Sequence, residues 1–147
     1  MSTTPEQSEG STAVPDGALF VAADEPVLVF GSVADAEMWL EAVDVEDGVY
    51  PAAFGRSGEP FRLTTDGSTV VIERTGEPNR PDELEALLLR YIGAVGRHPD
   101  PSLGLDELVA TVWALQRKGQ RRIELHVWGC IAVLGALAVG LAYLAFR

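Results

Sequence analysis

The sequence has very few of the residues that build metal sites and nucleophilic catalytic sites. Its 147 residues include one cysteine, Cys130, and two histidines, His98 and His126. A single cysteine forms no intrachain disulfide, and with two separated histidines it is too little for a zinc site or a Cys–His nucleophile. Counting leaves a Ser–His–Asp triad open, but no serine lies in a G-x-S-x-G motif. We therefore expect no metal, no cofactor and no enzymatic activity.

Basic residues are also scarce over most of the chain. Residues 1–116 contain 6 of the 11 basic and 21 of the 22 acidic side chains, a net charge of −15. Such a charge repels nucleic acids and anionic lipid surfaces and favours a basic protein partner. We expect no nucleic-acid binding. The alternative that the acidity serves only solubility stays open, because charge alone specifies partners poorly.

The C-terminal part lacks charge over a long stretch. The 20 residues from Val127 to Phe146 include no charged side chain, and a helix of that length covers about 30 Å, the thickness of a bilayer's hydrocarbon core. Trp128 and Tyr143 lie near its ends, where aromatic rings favour the headgroup region. These features predict a transmembrane helix. The alternative, a buried core helix, needs more surrounding chain than so small a protein offers.

Charges beside this segment predict its orientation. Only Arg147 follows the segment, whereas four basic residues precede it: Arg117, Lys118, Arg121 and Arg122. Positively charged flanks stay on the cytoplasmic side of a membrane. The first residues have neither the basic start nor the apolar run of a signal peptide. We expect a single-pass, tail-anchored protein of the plasma membrane, with its N-terminus in the cytoplasm and its C-terminus outside.

The region before the anchor alternates short apolar runs with turn residues. Residues 1–24 are rich in Ser, Thr, Pro, Gly and acid, and are predicted to be a disordered tail. A strand over residues 27–30, a helix over 33–43 with Ser32 as its N-cap, and three strands within residues 49–75 follow. Asp66-Gly67 is typical of a tight hairpin turn, so the three strands are expected to form an antiparallel meander.

Two more amphipathic helices are predicted. Apolar residues recur at i, i+3, i+4 and i+7 over residues 82–95, and a second helix follows HPDPS, with Ser102 or Asp100 available as its N-cap. The predicted class is α+β, in the order β-α-β-β-β-α-α plus one C-terminal transmembrane helix. We divide the chain into a tail (1–24), the α+β domain (25–100), an amphipathic helix with a basic juxtamembrane stalk (101–124) and the transmembrane helix (125–146).

No motif marks a binding site, so charge density supplies the candidates for contact with a basic partner: Glu41, Asp44, Glu46, Asp47 and Glu59. The acids of DVEDG do not have the spacing of a calcium-binding loop and favour a solvated turn. Core packing is expected for most of the large aromatics, although each could also anchor a partner: Trp39, Tyr50, Phe54 and Trp113.

Three small residues lie four apart inside the predicted span: Ala132, Ala136 and Gly140. This spacing lets two membrane helices approach closely and predicts a homo-oligomer formed through the transmembrane helix. It supports an alternative function as a structural or assembly component of the membrane.

Residues 30–63 read FGSVADAEMWLEAVDVEDGVYPAAFGRSGEPFRL. The segment resembles a pattern in small actinobacterial proteins, some of them grouped with the immunity proteins of polymorphic toxin systems. The matching positions are Ala36-Glu37, Leu40-Glu41, Asp44-Val45-Glu46-Asp47-Gly48, Tyr50 and Gly58. The resemblance implies a binding protein that neutralises or holds a partner, and the C-terminal span departs from it.

The sequence therefore favours a membrane-anchored, cytoplasmic-facing binding module that captures a basic protein and is immunity-like. The alternative is the assembly component that associates through its transmembrane helix. A third reading, an enzyme with a membrane-associated substrate, depends only on carboxylate pairs such as Asp44/Asp47 or Asp106/Glu107.

Overall fold

The computed structural model describes residues 13–24 and 27–118. The described residues up to Trp113 belong to one compact unit, and a second unit begins at Ala114. Among the described residues, no helix is both long enough and apolar enough to cross a membrane. Several predicted features lie outside the described residues: the transmembrane helix, Arg121, Arg122 and the small residues Ala132, Ala136 and Gly140.

Five antiparallel strands form one sheet. They are β1 (Leu19–Val21), β2 (Leu28–Phe30), β3 (Ala53–Gly55), β4 (Pro60–Thr65) and β5 (Val70–Arg74), in the spatial order β2-β1-β3-β4-β5. The α+β class and the antiparallel meander, which is β3-β4-β5, are confirmed.

At the β4–β5 turn, Asp66 Oδ1 accepts the backbone N–H groups of Ser68 and Thr69 at 2.9 and 2.8 Å. These bonds hold the pKa of Asp66 well below its usual range.

Strand β1 corrects the sequence prediction. The predicted disordered tail over residues 1–24 is wrong at Leu19–Val21, which form a strand between β2 and β3. All three of its residues are 0% exposed. Three residues are too few to show a period of two, and a strand covered on both faces has no polar face to reveal it. Its hydrogen-bonding partners come from β2 and β3, later in the chain.

The predicted helix over residues 33–43 is two helices. Helix α1 (Val33–Trp39) begins as expected, because the Ser32 Oγ accepts the Asp35 backbone N–H at 3.1 Å. It ends at Leu40, whose backbone is extended (φ −77°, ψ 138°), and α2 (Ala42–Glu46) begins after Glu41. This break changes which side chains face the sheet.

Two further helices follow the sheet. Helix α3 (Pro81–Ala94) confirms the predicted helix to within a residue and begins with proline, which suits the first helical position. The last helix, α4, covers residues 105–118 of the described chain. Neither Ser102 nor Asp100 caps it: Asp100 accepts the Ser102 N–H, while the Glu107 carboxylate accepts the Gly104 N–H just before the helix.

Both faces of the sheet carry buried side chains. On one face, apolar residues of α1, its C-cap and three strands form a single cluster: Leu19, Val21, Ala36, Leu40, Ala53, Val70 and Ile72. Because strand side chains alternate, Phe20 and its cross-strand neighbour Phe54 point to the other face. An open cavity of about 310 Å³ on that side is lined by Ala22, Phe54 and Leu87.

Helix α1 is also tied to the edge of the sheet. The carboxylate of Glu37 accepts the backbone N–H of Ile72 at 2.8 Å, and Ile72 lies in the edge strand β5. An edge strand presents backbone groups without a neighbouring strand, and covering one of them with a side chain removes a site of unwanted pairing. This bond and the buried Ala36 and Leu40 set the orientation of α1, which leaves Met38 and Trp39 facing outward.

Candidate functional site

The outer side of α1 and α2 carries three large apolar side chains that the fold does not bury. Met38 is 74% exposed, Trp39 75% and Val43 53%. They lie within six residues of the chain, and we call them the Trp39 patch. Single exposed apolar residues are ordinary, but a tryptophan beside a methionine is costly to leave in water and points to a contact surface.

The break at Leu40 explains the exposure of Val43. A continuous helix would carry Val43 onto the same face as Ala36 and Leu40, as the sequence predicted. Restarting the helix at Ala42 turns Val43 outward, and Val45 instead packs against the core cluster. Trp39 lies before the break and is 75% exposed, so core packing of Trp39 is a wrong prediction. One sequence signal was available: α1 has too many apolar residues for one narrow face, so some of them must face water.

Acidic residues are frequent in the stretch of chain that carries the Trp39 patch. The exposed residues between positions 34 and 48 include four carboxylates: Asp35, Glu41, Glu46 and Asp47. Residues 1–55 contain no lysine or arginine, and the first basic residue is Arg56. This stretch thus combines exposed apolar side chains with exposed negative charge, the combination expected of a surface that binds a positively charged partner.

The structure brings four of the five predicted contact residues to this region. Glu41 is the N-cap residue of α2 but makes no side-chain capping bond, so its carboxylate is available. Glu46 reaches towards the β4–β5 turn, where its Oε1 lies 3.4 Å from the position that a Cβ would take on Gly67. Asp47 follows α2 and is exposed.

Asp44 has a structural contact. Its Oδ2 accepts the hydroxyl proton of Tyr50 at 3.0 Å, which ties α2 to the segment before β3. Burial, the hydrogen bond to Asp44 and the negative charges of Asp44 and Glu41 together raise the pKa of Tyr50 to about 12. Asp44 is therefore less available to a partner than Glu41 or Asp47.

We expect Tyr50→Phe to lower the free energy of unfolding by about 1 kcal/mol near neutral pH, because the bond to Asp44 is lost. The folded pKa of Tyr50 lies above the ordinary value of about 10. Its stabilisation is thus fully present below about pH 10 and is lost as pH rises through about 12. Urea unfolding of both proteins at about pH 8 and about pH 11 measures this, and a difference that does not shrink contradicts it.

Glu59 does not join the other four. It lies in the β3–β4 turn, where its carboxylate accepts the Ser57 N–H at 2.9 Å and pairs with Arg74 at 3.5 Å. The turn that Glu46 approaches is at the opposite end of β4, roughly 25 Å away at about 3.3 Å per residue. The sequence showed that Glu59 lies in a turn, but it did not show that this turn and the acids of α2 lie at opposite ends of β4.

The other aromatics lie mostly inside. Phe54 is buried, whereas Tyr50 and Trp113 are half-buried. The indole N–H of Trp113 is buried without a hydrogen-bond partner among the described residues.

A second cavity of about 290 Å³ lies beside Tyr50, Arg62 and Arg80. Both cavities are at the small end of the range for ligand sites, so neither competes with the Trp39 patch as a candidate.

Metal-binding clusters are missing from the part of the chain that the structure describes. Within residues 13–24 and 27–118, no group of three or more His, Cys, Asp or Glu side chains could hold a metal ion. No protein-family model matches the sequence, and neither curated proteins nor solved structures show a significant match. The geometry of the Trp39 patch therefore carries the functional argument.

Proposed function

We propose that this protein is a membrane-anchored, cytoplasmic-facing binding module that captures a basic protein partner, in the manner of an immunity protein. The observation that carries the proposal is the Trp39 patch, with its exposed Met38-Trp39 pair in a stretch of chain, residues 31–55, that contains no lysine or arginine. Binding, not catalysis, is the role that such a surface performs.

The patch has the composition of an interface centre. Tryptophan and methionine are enriched in protein interfaces, and tryptophan is prominent among the residues that dominate binding energy. Covering an exposed side chain of this size contributes on the order of 3 kcal/mol of favourable free energy. An apolar centre with a rim of polar or charged residues is the usual anatomy of a specific interface.

The charge of the region selects the kind of partner. Carboxylates of Asp35, Glu41 and Asp47 would repel a second copy of the same face, and they would also repel an anionic lipid surface. A basic partner gains attraction and faster association from the same charges. The predicted anchor over residues 125–146, with its basic flank, would hold this surface at the cytoplasmic side of the membrane.

The proposal is tested by crosslinking in intact membranes. A photoreactive amino acid in place of Met38 is expected to capture a protein of basic isoelectric point. Capture should fall at high salt and with Glu41→Lys, because charge attraction brings the two proteins together. The same photoreactive residue in place of Val95, which is 46% exposed and distant in sequence, is the matched control.

An adduct that forms equally from positions 38 and 95 would show non-specific contact and argue against the proposal. A captured protein of acidic isoelectric point, or capture that Glu41→Lys leaves unchanged, would overturn the requirement for a basic partner.

A further inference from the structure

An arginine on an aromatic ring already occurs within this fold. The guanidinium carbon of Arg74 lies 5.7 Å from the centroid of the Phe61 ring, and one of its nitrogens lies 3.5 Å from the Glu59 carboxylate. The contact combines a cation–π interaction with an ion pair, each worth little alone in water. The arrangement thus has three parts: an aromatic ring from Phe61, a carboxylate from Glu59 and a guanidinium group from Arg74.

Two of these three parts, an aromatic ring and carboxylates, recur in the stretch of chain from Asp35 to Glu41. Asp35 lies one helical turn before Trp39, so the two side chains share one face of α1, and helical side chains lean towards the N-terminus. Glu41 follows Trp39 by two residues and has no capping bond to hold its carboxylate. Tryptophan is the best of the aromatic rings for a cation. The cation is what this stretch lacks, since residues 31–55 contain no lysine or arginine.

We propose, on the basis of the function above, that the partner supplies an arginine whose guanidinium stacks on the Trp39 indole and pairs with Asp35 and Glu41. Arginine fits better than lysine for two reasons. Its planar guanidinium stacks on an aromatic face, and it is less strongly hydrated than an ammonium group. A purely apolar anchor would leave the neighbouring carboxylates partly desolvated without a counter-charge.

The test uses the full-length chain in detergent micelles and three short synthetic peptides. The peptides share one alanine- and glutamine-rich sequence and differ only in carrying arginine, lysine or the neutral arginine analogue citrulline. The indole N–H signal of Trp39, assigned by its loss in Trp39→Phe, reports binding in nuclear magnetic resonance titrations. Trp39 is 75% exposed, so its substitution leaves the core intact.

The arginine peptide is expected to bind about 5- to 30-fold more tightly than the lysine peptide, and Trp39→Ala is expected to abolish that preference. Glu41→Gln should weaken binding of the arginine peptide. The matched control Glu73→Gln, which removes an exposed carboxylate from β5, should not.

Three outcomes would overturn the inference. Equal affinity for arginine and lysine excludes guanidinium stacking but leaves capture of a basic partner standing. If Trp39→Ala binds the arginine peptide as tightly as the wild type, the peptide binds elsewhere on the molecule and not at Trp39. If the citrulline peptide binds as tightly as the arginine peptide, positive charge is not recognised. That result would exclude both the arginine contact and the capture of a basic partner.

Discussion

Replacing Phe20 by alanine is expected to lower the free energy of unfolding by about 3 to 5 kcal/mol, the usual cost of removing a phenylalanine side chain from a core. Phe20 is 0% exposed in the interior strand β1, opposite Val29 in β2 and Phe54 in β3. Domains of this size are stable by only about 5 to 15 kcal/mol, so the variant should be marginally folded. Urea unfolding followed by circular dichroism gives the value.

The matched control is Phe20→Leu, which keeps most of the buried volume and should cost less than about 1.5 kcal/mol. A disordered segment up to residue 24 would make the opposite prediction. In that case both variants would unfold at the same urea concentration as the wild type, and the place of β1 in the sheet would be disproved.

Gly58→Ala is expected to cost about 3 kcal/mol, because the residue is both left-handed and closely packed. Its φ is +83°, where a side chain costs roughly 1 to 2 kcal/mol. A Cβ would also lie 2.6 Å from the Pro81 nitrogen and 2.7 Å from the Arg80 carbonyl carbon. These are backbone atoms, so the start of α3 would have to move, at a further 1 to 3 kcal/mol or so. The Arg80 N–H bond to the Gly58 oxygen, now 2.7 Å, would weaken as well.

Gly76→Ala separates the two causes. Gly76 has nearly the same φ, +75°, but a Cβ there would meet no atom within 4 Å. Its alanine variant should therefore cost only the conformational part, about 1 to 2 kcal/mol. Equal unfolding midpoints for the two variants would show that the contact of the β3–β4 turn with α3 contributes nothing.

These core variants also separate stability from binding. Helices α1 and α2 contact the sheet at β2, β4 and β5, so unfolding of the sheet removes the surface that presents Trp39. Phe20→Ala and Gly58→Ala should therefore reduce stability and partner capture together. A Trp39 variant should reduce capture and leave the unfolding midpoint unchanged, because that side chain lies outside the core.

Local patterns in the sequence determined several elements correctly. The 3.6-residue periodicity and Pro81 located α3, the alternation around Asp66-Gly67 located the β4–β5 hairpin, and Ser32 located the start of α1. Each of these features depends on residues within one or two turns of each other. Composition likewise determined the charge and the scarcity of cysteine and histidine, because counts do not depend on the fold.

Only the tertiary structure decided the features that need partners distant in the chain. Strand β1 exists because β2 and β3 bond to it, although its own three residues carry no periodicity. The restart at Ala42 decided that Val43 faces water, and the packing of Ala36 and Leu40 in the core left Trp39 exposed. Glu59 lies at one end of β4, whereas Glu46 lies near Gly67 at the other end, so Glu59 is apart from the acids of α2. The sequence thus determined what the chain contains and its local structure, and the sheet decided which apolar residues are left for a partner.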